Sequence, residues 1–102
     1  AVRFADVAID QDDQIMGLIL VTMRGEMLSN QPSAHLETII VAPVARRQGL
    51  GRALLQRAEQ KAKVLGAQSM SLHVFSNNIR ARSLYQSSGY DEEIVRCIKW
   101  LD

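Results

Sequence analysis

The sequence has little of what marks secreted, disulfide-bonded or zinc-binding proteins. Its only cysteine is Cys97, which excludes an internal disulfide, and a lone cysteine does not make a zinc site. We therefore expect a reducing compartment, with the cytoplasm as the default location. Cys97 itself is interpreted as a small core hydrophobe in the last strand.

Long apolar runs and an excess of one charge are also missing. No apolar stretch approaches the roughly 18 residues that a membrane span requires, so no membrane partner is expected. The net charge is +1, far from the basic excess of nucleic-acid-binding proteins, and we expect no nucleic-acid partner. Hydrophobic residues make up 47% of the 102 positions, which is typical of a globular protein and predicts one domain over residues 1–102.

Hydrophobic periodicity predicts the element order β-β-β-α-β-α-β. The predicted strands are 2–9, 14–23, 35–41, 69–75 and 94–101, and the predicted helices run from Leu50 to Leu65 and from a cap at Asn77 or Asn78 to Ser88. Strand 14–23 should be central, and Gly17 within it permits close approach of another element. The pattern indicates an α/β protein of the α+β type, with a mixed, mostly antiparallel sheet and a central, right-handed, parallel β-α-β crossover.

A basic turn with two glycines joins strand 35–41 to the first helix. It reads Arg46-Arg47-Gln48-Gly49-Leu50-Gly51-Arg52. Backbone N–H groups at a helix start bind anions, and glycines let a phosphate approach the main chain. A purely structural helix cap is the alternative. A P-loop is excluded because Arg52-Ala53 follows Gly51, and a Rossmann fingerprint because Leu54 stands where its third glycine belongs.

Two separate motifs resemble the GNAT superfamily of acetyl-CoA-dependent N-acetyltransferases. The first is Val41-Ala42-Pro43 followed by Arg46-x-x-Gly49-x-Gly51. The second is the series Asn78, Ala81, Tyr85, Gly89 and Tyr90. The resemblance covers nearly the whole chain and implies a GNAT-like acyl-CoA N-acyltransferase fold. It also implies acetyl-CoA as cosubstrate, no metal, and direct transfer of acetyl to an amine acceptor.

The resemblance also implies a set of residues that hold acetyl-CoA. Backbone N–H groups of Gln48, Gly49, Leu50, Gly51 and Arg52 would bind the pyrophosphate, and the backbone of Ile39, Ile40 and Val41 would pair with the pantetheine amides. Arg46 and Arg47 would either reach phosphate oxygens or stay solvated. Asn78 would contact the pantetheine arm or brace the diverging strands, and Tyr85 would lie beside the thioester.

Three residues are candidates for catalysis, and the resemblance implies a role for Tyr85 as the proton donor to the CoA thiolate. A core aromatic role is the alternative for Tyr85. Glu37 is a candidate base because a carboxylate is costly to bury in the apolar strand 35–41, where alternation gives it the same side-chain direction as His35, Ile39 and Val41. A cross-strand ion pair is the alternative for Glu37. His73, where ribosomal-protein N-terminal acetyltransferases carry a glutamate, is a second candidate base, and a structural histidine is its alternative.

The chain departs from the family pattern at its beginning. GNAT domains usually start with a strand and two helices that wall off the acceptor pocket, whereas this sequence starts at the first hairpin and is N-terminally short. We expect a homodimer, because a sheet edge and an apolar face would otherwise be unshielded. A non-catalytic CoA-binding module, or a fragment of a longer acetyltransferase, is the alternative to an active N-acetyltransferase.

Overall fold

The computed structural model describes residues 2–102, and it confirms the predicted order of elements as far as the second helix. The elements are β1 (Arg3–Ile9), β2 (Ile15–Gly25), β3 (Pro32–Val41), a short 3-10 helix (Pro43–Ala45), α1 (Leu50–Val64), β4 (Ser69–Leu72) and α2 (Ile79–Ser87). The predicted surface loop between β2 and β3 is shorter than expected because both strands extend into it.

The four strands form one mixed sheet in the order β1-β2-β3-β4. Strands β1, β2 and β3 are antiparallel neighbours, while β4 lies parallel to β3. Helix α1 connects the parallel pair. The predicted fold class is confirmed, and β2 is central because it pairs on both sides.

The hydrophobic core lies between the sheet and α1. Helix residues three and four apart fall on one face, and this face of α1 is buried against β2 and β3. Burial of a large aliphatic side chain contributes about 1.5–3 kcal/mol. The buried core residues of α1 and of these two strands are Leu54, Leu55, Ala58, Ala62, Ile19, Val21, Ala34 and Leu36.

Helix α1 lies unusually close to the central strand at Gly17. A Cβ at this position would be 2.8 Å from Leu54 Cδ1 and 3.3 Å from Leu50 Cδ2. The first separation is shorter than a van der Waals contact, so a larger residue at position 17 would require the Leu54 side chain to shift. The predicted close approach at Gly17 is confirmed.

The predicted final strand, 94–101, is wrong. Residues 91–102 form neither strand nor helix and are exposed, and so is Cys97, which was expected in the core. A strand needs neighbouring backbone groups to complete its hydrogen bonds, and within residues 2–102 strand β4 pairs with β3 alone. The apolar pattern of residues 94–101 therefore indicated a propensity to form a strand, but this segment has no partner strand within residues 2–102.

No helix among residues 2–102 combines the length and the apolar character needed to cross a lipid bilayer.

Candidate active site

A cleft opens where β3 and β4 part. The two strands pair from Ser33 beside Ser69 to Leu36 beside Leu72, after which β4 ends and β3 continues to Val41. The predicted strand 69–75 is shortened for this reason. The cleft has a volume of about 170 Å³. It is lined by Leu36, Glu37, Thr38, Ile39, His73, Val74, Phe75, Asn78, Ala81 and Tyr85.

All three predicted catalytic residues line this cleft, namely Glu37, His73 and Tyr85. They come from β3, from the segment after β4 and from α2. A wider hollow of about 570 Å³ lies at the first hairpin, where it is lined by the consecutive residues Ile9–Asp12 and by none of the predicted site residues. The predicted catalytic residues therefore converge on the smaller concavity, between the diverging strands.

Glu37 is the extra residue of a β-bulge at the mouth of the cleft. Leu20 of β2 pairs with Thr38, and the next residue, Val21, pairs with Leu36, so Glu37 has no partner of its own. A bulge bends its strand and increases the local twist. The bulge coincides with the point at which β3 leaves β4.

The bulge reverses the alternation on which the predicted direction of Glu37 was based. Ile39 and Val41 pair with β2 residues that face α1, whereas His35 pairs with Thr22 on the other face. The prediction that Glu37, His35, Ile39 and Val41 share one direction is wrong, because a period of two does not hold across an inserted residue.

The Glu37 side chain is exposed, so the predicted cost of burying it does not arise. Its alternative role in a cross-strand ion pair is not observed either. The ion pairs found among residues 2–102 join Arg57 to Asp6 and Arg82 to Glu92. Glu37 is therefore an exposed carboxylate beside the cleft, available to a ligand.

The backbone of β3 has an open edge beyond Leu36. The Ala42 N–H donates to Met16 of β2 at 2.8 Å, and successive residues of a strand direct their N–H and C=O groups to opposite sides. Ile39 and Val41 therefore direct their backbone groups toward the open edge, and Ile40 directs its groups toward β2. Of the three residues predicted to pair with a ligand, Ile39 and Val41 are the two whose backbone groups face the open edge.

The glycine turn presents unpaired N–H groups at the start of α1. Arg47 has a φ of +64°, and the N-cap residue Gly49 has a φ of +78°. Among residues 2–102 no side chain caps this helix start, and a helix leaves its first N–H groups without intrahelical partners. A Cβ at Gly49 would meet no atom within 4 Å. The turn is therefore open to an anion.

Polar side chains of the turn bond to other parts of the protein. The Arg46 Nε donates to the Val41 carbonyl at 3.2 Å, and the Gln48 amide donates to the Val44 carbonyl at 3.3 Å. Arg52 donates to the Ser87 hydroxyl at 2.6 Å. The Arg52 guanidinium thus ties α1 to α2, which leaves its backbone N–H as the group that the resemblance assigns to the phosphates.

Asn78 caps α2 at the edge of the cleft. Its side-chain oxygen accepts a hydrogen bond from the Ala81 N–H at 3.2 Å. This confirms one of the two predicted caps, Asn78 rather than Asn77. The cap fixes the start of α2, and α2 carries Tyr85 into the cleft wall.

Tyr85 is buried and lines the cleft. Among residues 2–102 no group forms a hydrogen bond with its hydroxyl, and the ring packs edge-on against Tyr90 at a centroid distance of 6.0 Å. Burial raises the pKa of the Tyr85 hydroxyl. The phenol therefore stays protonated at neutral pH and holds a proton that it can donate into the cleft.

His73 is exposed at the cleft, and its ring centroid lies 5.0 Å from that of His35. His35 is buried, and its Nδ1 lies 2.8 Å from the Ser71 Oγ. Burial lowers the pKa of His35, Arg24 lowers it further, and Glu37 opposes both effects. Sequence reasoning missed the bond between His35 and Ser71, because the register of two parallel strands joined by a helix cannot be read from the sequence pattern.

No group of three or more His, Cys, Asp or Glu side chains within residues 2–102 is close enough together to hold a metal ion.

The acetyltransferase (GNAT) family model matches residues 3–90 of the chain. The chain belongs to the GNAT family. Its diverging parallel strands and open glycine turn are therefore features of a GNAT acetyltransferase fold.

Two curated relatives and one solved structure illustrate the relationship. The chain is 33% identical over 84 residues to the mycothiol acetyltransferase of Renibacterium salmoninarum, covering 82% of this chain and 25% of that protein. It is 40% identical over 63 residues to the ribosomal protein bS18-alanine N-acetyltransferase of Escherichia coli strain K12, covering 62% and 43%. A putative acetyl transferase from Pyrococcus furiosus matches with a TM-score of 0.92 and 27% identity, covering 98% and 66%.

The GNAT chain thus spans less than half the length of these two curated relatives.

Proposed function

We propose that this GNAT chain transfers the acetyl group of acetyl-CoA directly to a primary amine of a small molecule or a peptide. The observation that carries the proposal is the cleft between β3 and β4, in which Glu37, His73 and Tyr85 meet. A carboxylate, an imidazole and a protonated phenol supply the acid and base groups that acyl transfer to an amine requires.

Donor binding is assigned to the glycine turn and the open edge of β3. The uncapped N–H groups of α1 would hold the pyrophosphate, since a helix start favours anions and Gly49 leaves room for one. The backbone groups of Ile39 and Val41 would pair with the pantetheine amides, as an added strand would. The residues present fit acetyl-CoA, because the turn and the cleft lie at the two ends of one open strand edge.

Acceptor activation falls to Glu37 and His73. An amine with a pKa near 10.4 is mostly protonated at pH 7, and exposing its lone pair costs about 4.6 kcal/mol. Either the Glu37 carboxylate or the His73 imidazole would accept a proton from the acceptor ammonium group. Because both side chains are exposed, that proton would then pass to water. The amine then forms a C–N bond with the acetyl carbon as the C–S bond to CoA breaks, and the nitrogen loses its second proton to the same base and on to water, which leaves a neutral amide.

Two further groups would stabilise the changing charges. The Ile39 N–H, which is directed to the open edge beside the cleft, would donate to the acetyl oxygen as negative charge develops there, and the Ile39 carbonyl and the Val41 N–H would remain for the pantetheine amides. Tyr85 would give its proton to the departing sulfur and recover one from solvent. Tyr85 is the residue for this step because its hydroxyl is protonated and free of partners among residues 2–102.

The acceptor class rests on the relatives. One is a mycothiol acetyltransferase, and the other acetylates an alanine of ribosomal protein bS18. One of these names thus specifies a small molecule and the other a protein. We propose an amine acceptor of either kind for this chain.

A second candidate function is a non-catalytic CoA-binding module, or a fragment of a longer acetyltransferase. It is favoured by the short span of the match, which covers 25% and 43% of the two curated relatives.

The experiment combines saturating acetyl-CoA with a panel of amines and measures release of free thiol. Release that depends on an amine supports the transferase. Tight CoA binding without amine-dependent release supports the module instead. Absence of CoA binding by the folded protein contradicts both.

We also propose that residues 1–102 act as one domain and that the protein works in the cytoplasm. The single cysteine supports this location, because a thiol without an internal partner suits a reducing compartment.

A further inference from the structure

Two histidines and a serine form a small polar cluster that reaches from the sheet to the cleft. His35 and Ser71 are register partners on β3 and β4, and the His35 Nδ1 lies 2.8 Å from the Ser71 hydroxyl. His73 follows Ser71 by two positions, directly after the end of β4. The rings of His35 and His73 are 5.0 Å apart and tilted by 57°. The buried imidazole of His35 is therefore hydrogen-bonded to the Ser71 hydroxyl and packs against the exposed imidazole of His73.

We infer that His35 is a positioning residue for acetyl transfer: held by Ser71, it fixes the imidazole of His73 at the cleft wall so that His73 accepts the proton of the acceptor amine. This inference rests on the proposed function and chooses between its two candidate bases. His35 acts through His73 and does not itself contact the substrate.

Burial argues that His35 does more than fill space. The side chain is 5% exposed, and an imidazole is costly to bury unless its nitrogens are hydrogen-bonded. Among residues 2–102 only Ser71 bonds to it. The Nδ1–Ser71 bond and the packing of the ring against His73 give His35 a fixed orientation that an apolar side chain of the same size would not have, and they point to orientation of His73.

Charge also favours this arrangement. The groups that act on His35 are Arg24 of β2, Glu37 of β3 and His73 itself, and burial and Arg24 favour its uncharged form. Two positive rings 5.0 Å apart would repel each other. A neutral His35 therefore places no positive charge beside the imidazole that would accept the proton. The proton moves from the amine nitrogen to a nitrogen of His73 and then to water.

The kinetic test uses three variants. His35→Asn retains a polar partner for Ser71 but removes the imidazole ring. Ser71→Ala retains the ring but removes the hydroxyl that bonds to it. Ser69→Ala is the matched control, because Ser69 is the register partner of Ser33, two positions farther from the cleft. We expect His35→Asn to lower kcat by about 10- to 100-fold, the size of effect that misplacement of a catalytic group produces, with KM for acetyl-CoA unchanged. Ser71→Ala should lower kcat less, and Ser69→Ala should not change it.

Coupling to His73 separates positioning from a structural role. In a His73→Gln background, His35→Asn should cause no further loss of kcat, because the residue through which it acts is gone. An equal loss in both backgrounds would overturn the inference. So would wild-type kcat in His35→Asn.

A measurement on the free protein does not depend on activity. Imidazole nitrogen NMR should show that Ser71→Ala shifts the ring signals of both His35 and His73, and that Ser69→Ala shifts neither. If no amine is acetylated but these shifts occur, the proposed function fails and the positioning of His73 stands. If His73 is unchanged in Ser71→Ala, the positioning fails whatever the activity.

Discussion

Leu36 and Leu72 are the last residues that pair β3 with β4, and the bulge at Glu37 follows immediately. Beyond this pair the edge of β3 is open, and the cleft with its acid and base groups begins. The point at which β3 and β4 separate therefore determines which backbone groups are free to bind acetyl-CoA. It also determines which side chains lie beside the proposed reaction. Five predictions follow from this arrangement and from the packing around it.

The first concerns the anion site at Gly49. Gly49→Asp places a carboxylate where the pyrophosphate is proposed to lie, and we expect CoA affinity to fall at least about 100-fold, since like charges brought together on binding cost several kcal/mol. Gly49→Asn is the matched control, because it has the same size without the charge and tolerates a positive φ. Calorimetric titration with CoA measures both variants. Equal affinities for the two would contradict the assignment.

The second concerns the proton of Tyr85. Tyr85→Phe keeps the buried ring and removes the hydroxyl, so we expect kcat to fall about 100-fold, the lower end of the range for a general acid, with little change in KM for acetyl-CoA. Thermal unfolding should be nearly unchanged, because the hydroxyl has no partner among residues 2–102. Steady-state kinetics decide the matter, and an unchanged kcat would return Tyr85 to a core role.

The third concerns the loss of stability in acid. Because the pKa of His35 is lowered by folding, the unfolded chain binds a proton below about pH 6.5 that the folded chain does not, and stability falls as the pH falls. This one group contributes a slope of at most about 1.4 kcal/mol per pH unit. Urea unfolding at pH 7.5 and pH 5 should show that the free energy of unfolding decreases less between these pH values in His35→Asn than in wild type.

The control for this effect is Ser69→Ala, since Ser69 is not among the groups that shift the pKa of His35 and its loss should leave the pH dependence of stability as in wild type. Parallel pH curves for wild type and His35→Asn would show that His35 is not the group responsible.

The fourth concerns an unpaired hydroxyl on β2. Thr22 is 6% exposed, and its Oγ1 is buried without a hydrogen-bond partner among residues 2–102. Thr22→Val removes the hydroxyl at nearly constant shape, and we expect the free energy of unfolding to rise by about 1 kcal/mol.

Ser33 provides the opposite case, because its buried hydroxyl bonds to Ser69 at 2.9 Å. Ser33→Ala should lower the free energy of unfolding by about 1 kcal/mol. Chemical denaturation of both variants tests the pair, and a destabilised Thr22→Val would show that its hydroxyl is satisfied in solution.

The fifth concerns assembly. Val7, Leu18 and Ile40 form a row across three strands on the face opposite α1, and Val7 and Ile40 are 45% and 56% exposed. Contiguous apolar surface favours association, so we expect a homodimer by light scattering and a shift toward monomer in Val7→Lys. A monodisperse wild-type monomer would contradict this prediction.

Elements with local signals could be predicted from the sequence. Helix α1 was predicted from the spacing of Leu54, Ala58 and Ala62, and the cap of α2 from its asparagines, because these patterns depend on neighbours within one or two turns. Of the three cleft residues, Tyr85 and His73 were identified from the resemblance, whereas Glu37 was identified from its place in an apolar strand. Features that depend on pairing could not be predicted. These are the bulge at Glu37, the hydrogen bond between His35 and Ser71, and the absence of strand pairing at residues 94–101.

Gly17, which has no side chain, lies in the central strand β2 directly under the start of α1, where the phosphates of the coenzyme are proposed to bind. Leu50 belongs to the first turn of α1 and rests over Gly17 together with Leu54. Even a methyl group there would force the ends of these leucine side chains to shift, and Leu50 stands beside the amide hydrogens at the start of the helix. Coenzyme affinity would then change through a residue that never meets the coenzyme, while the chemistry at Tyr85 was left intact.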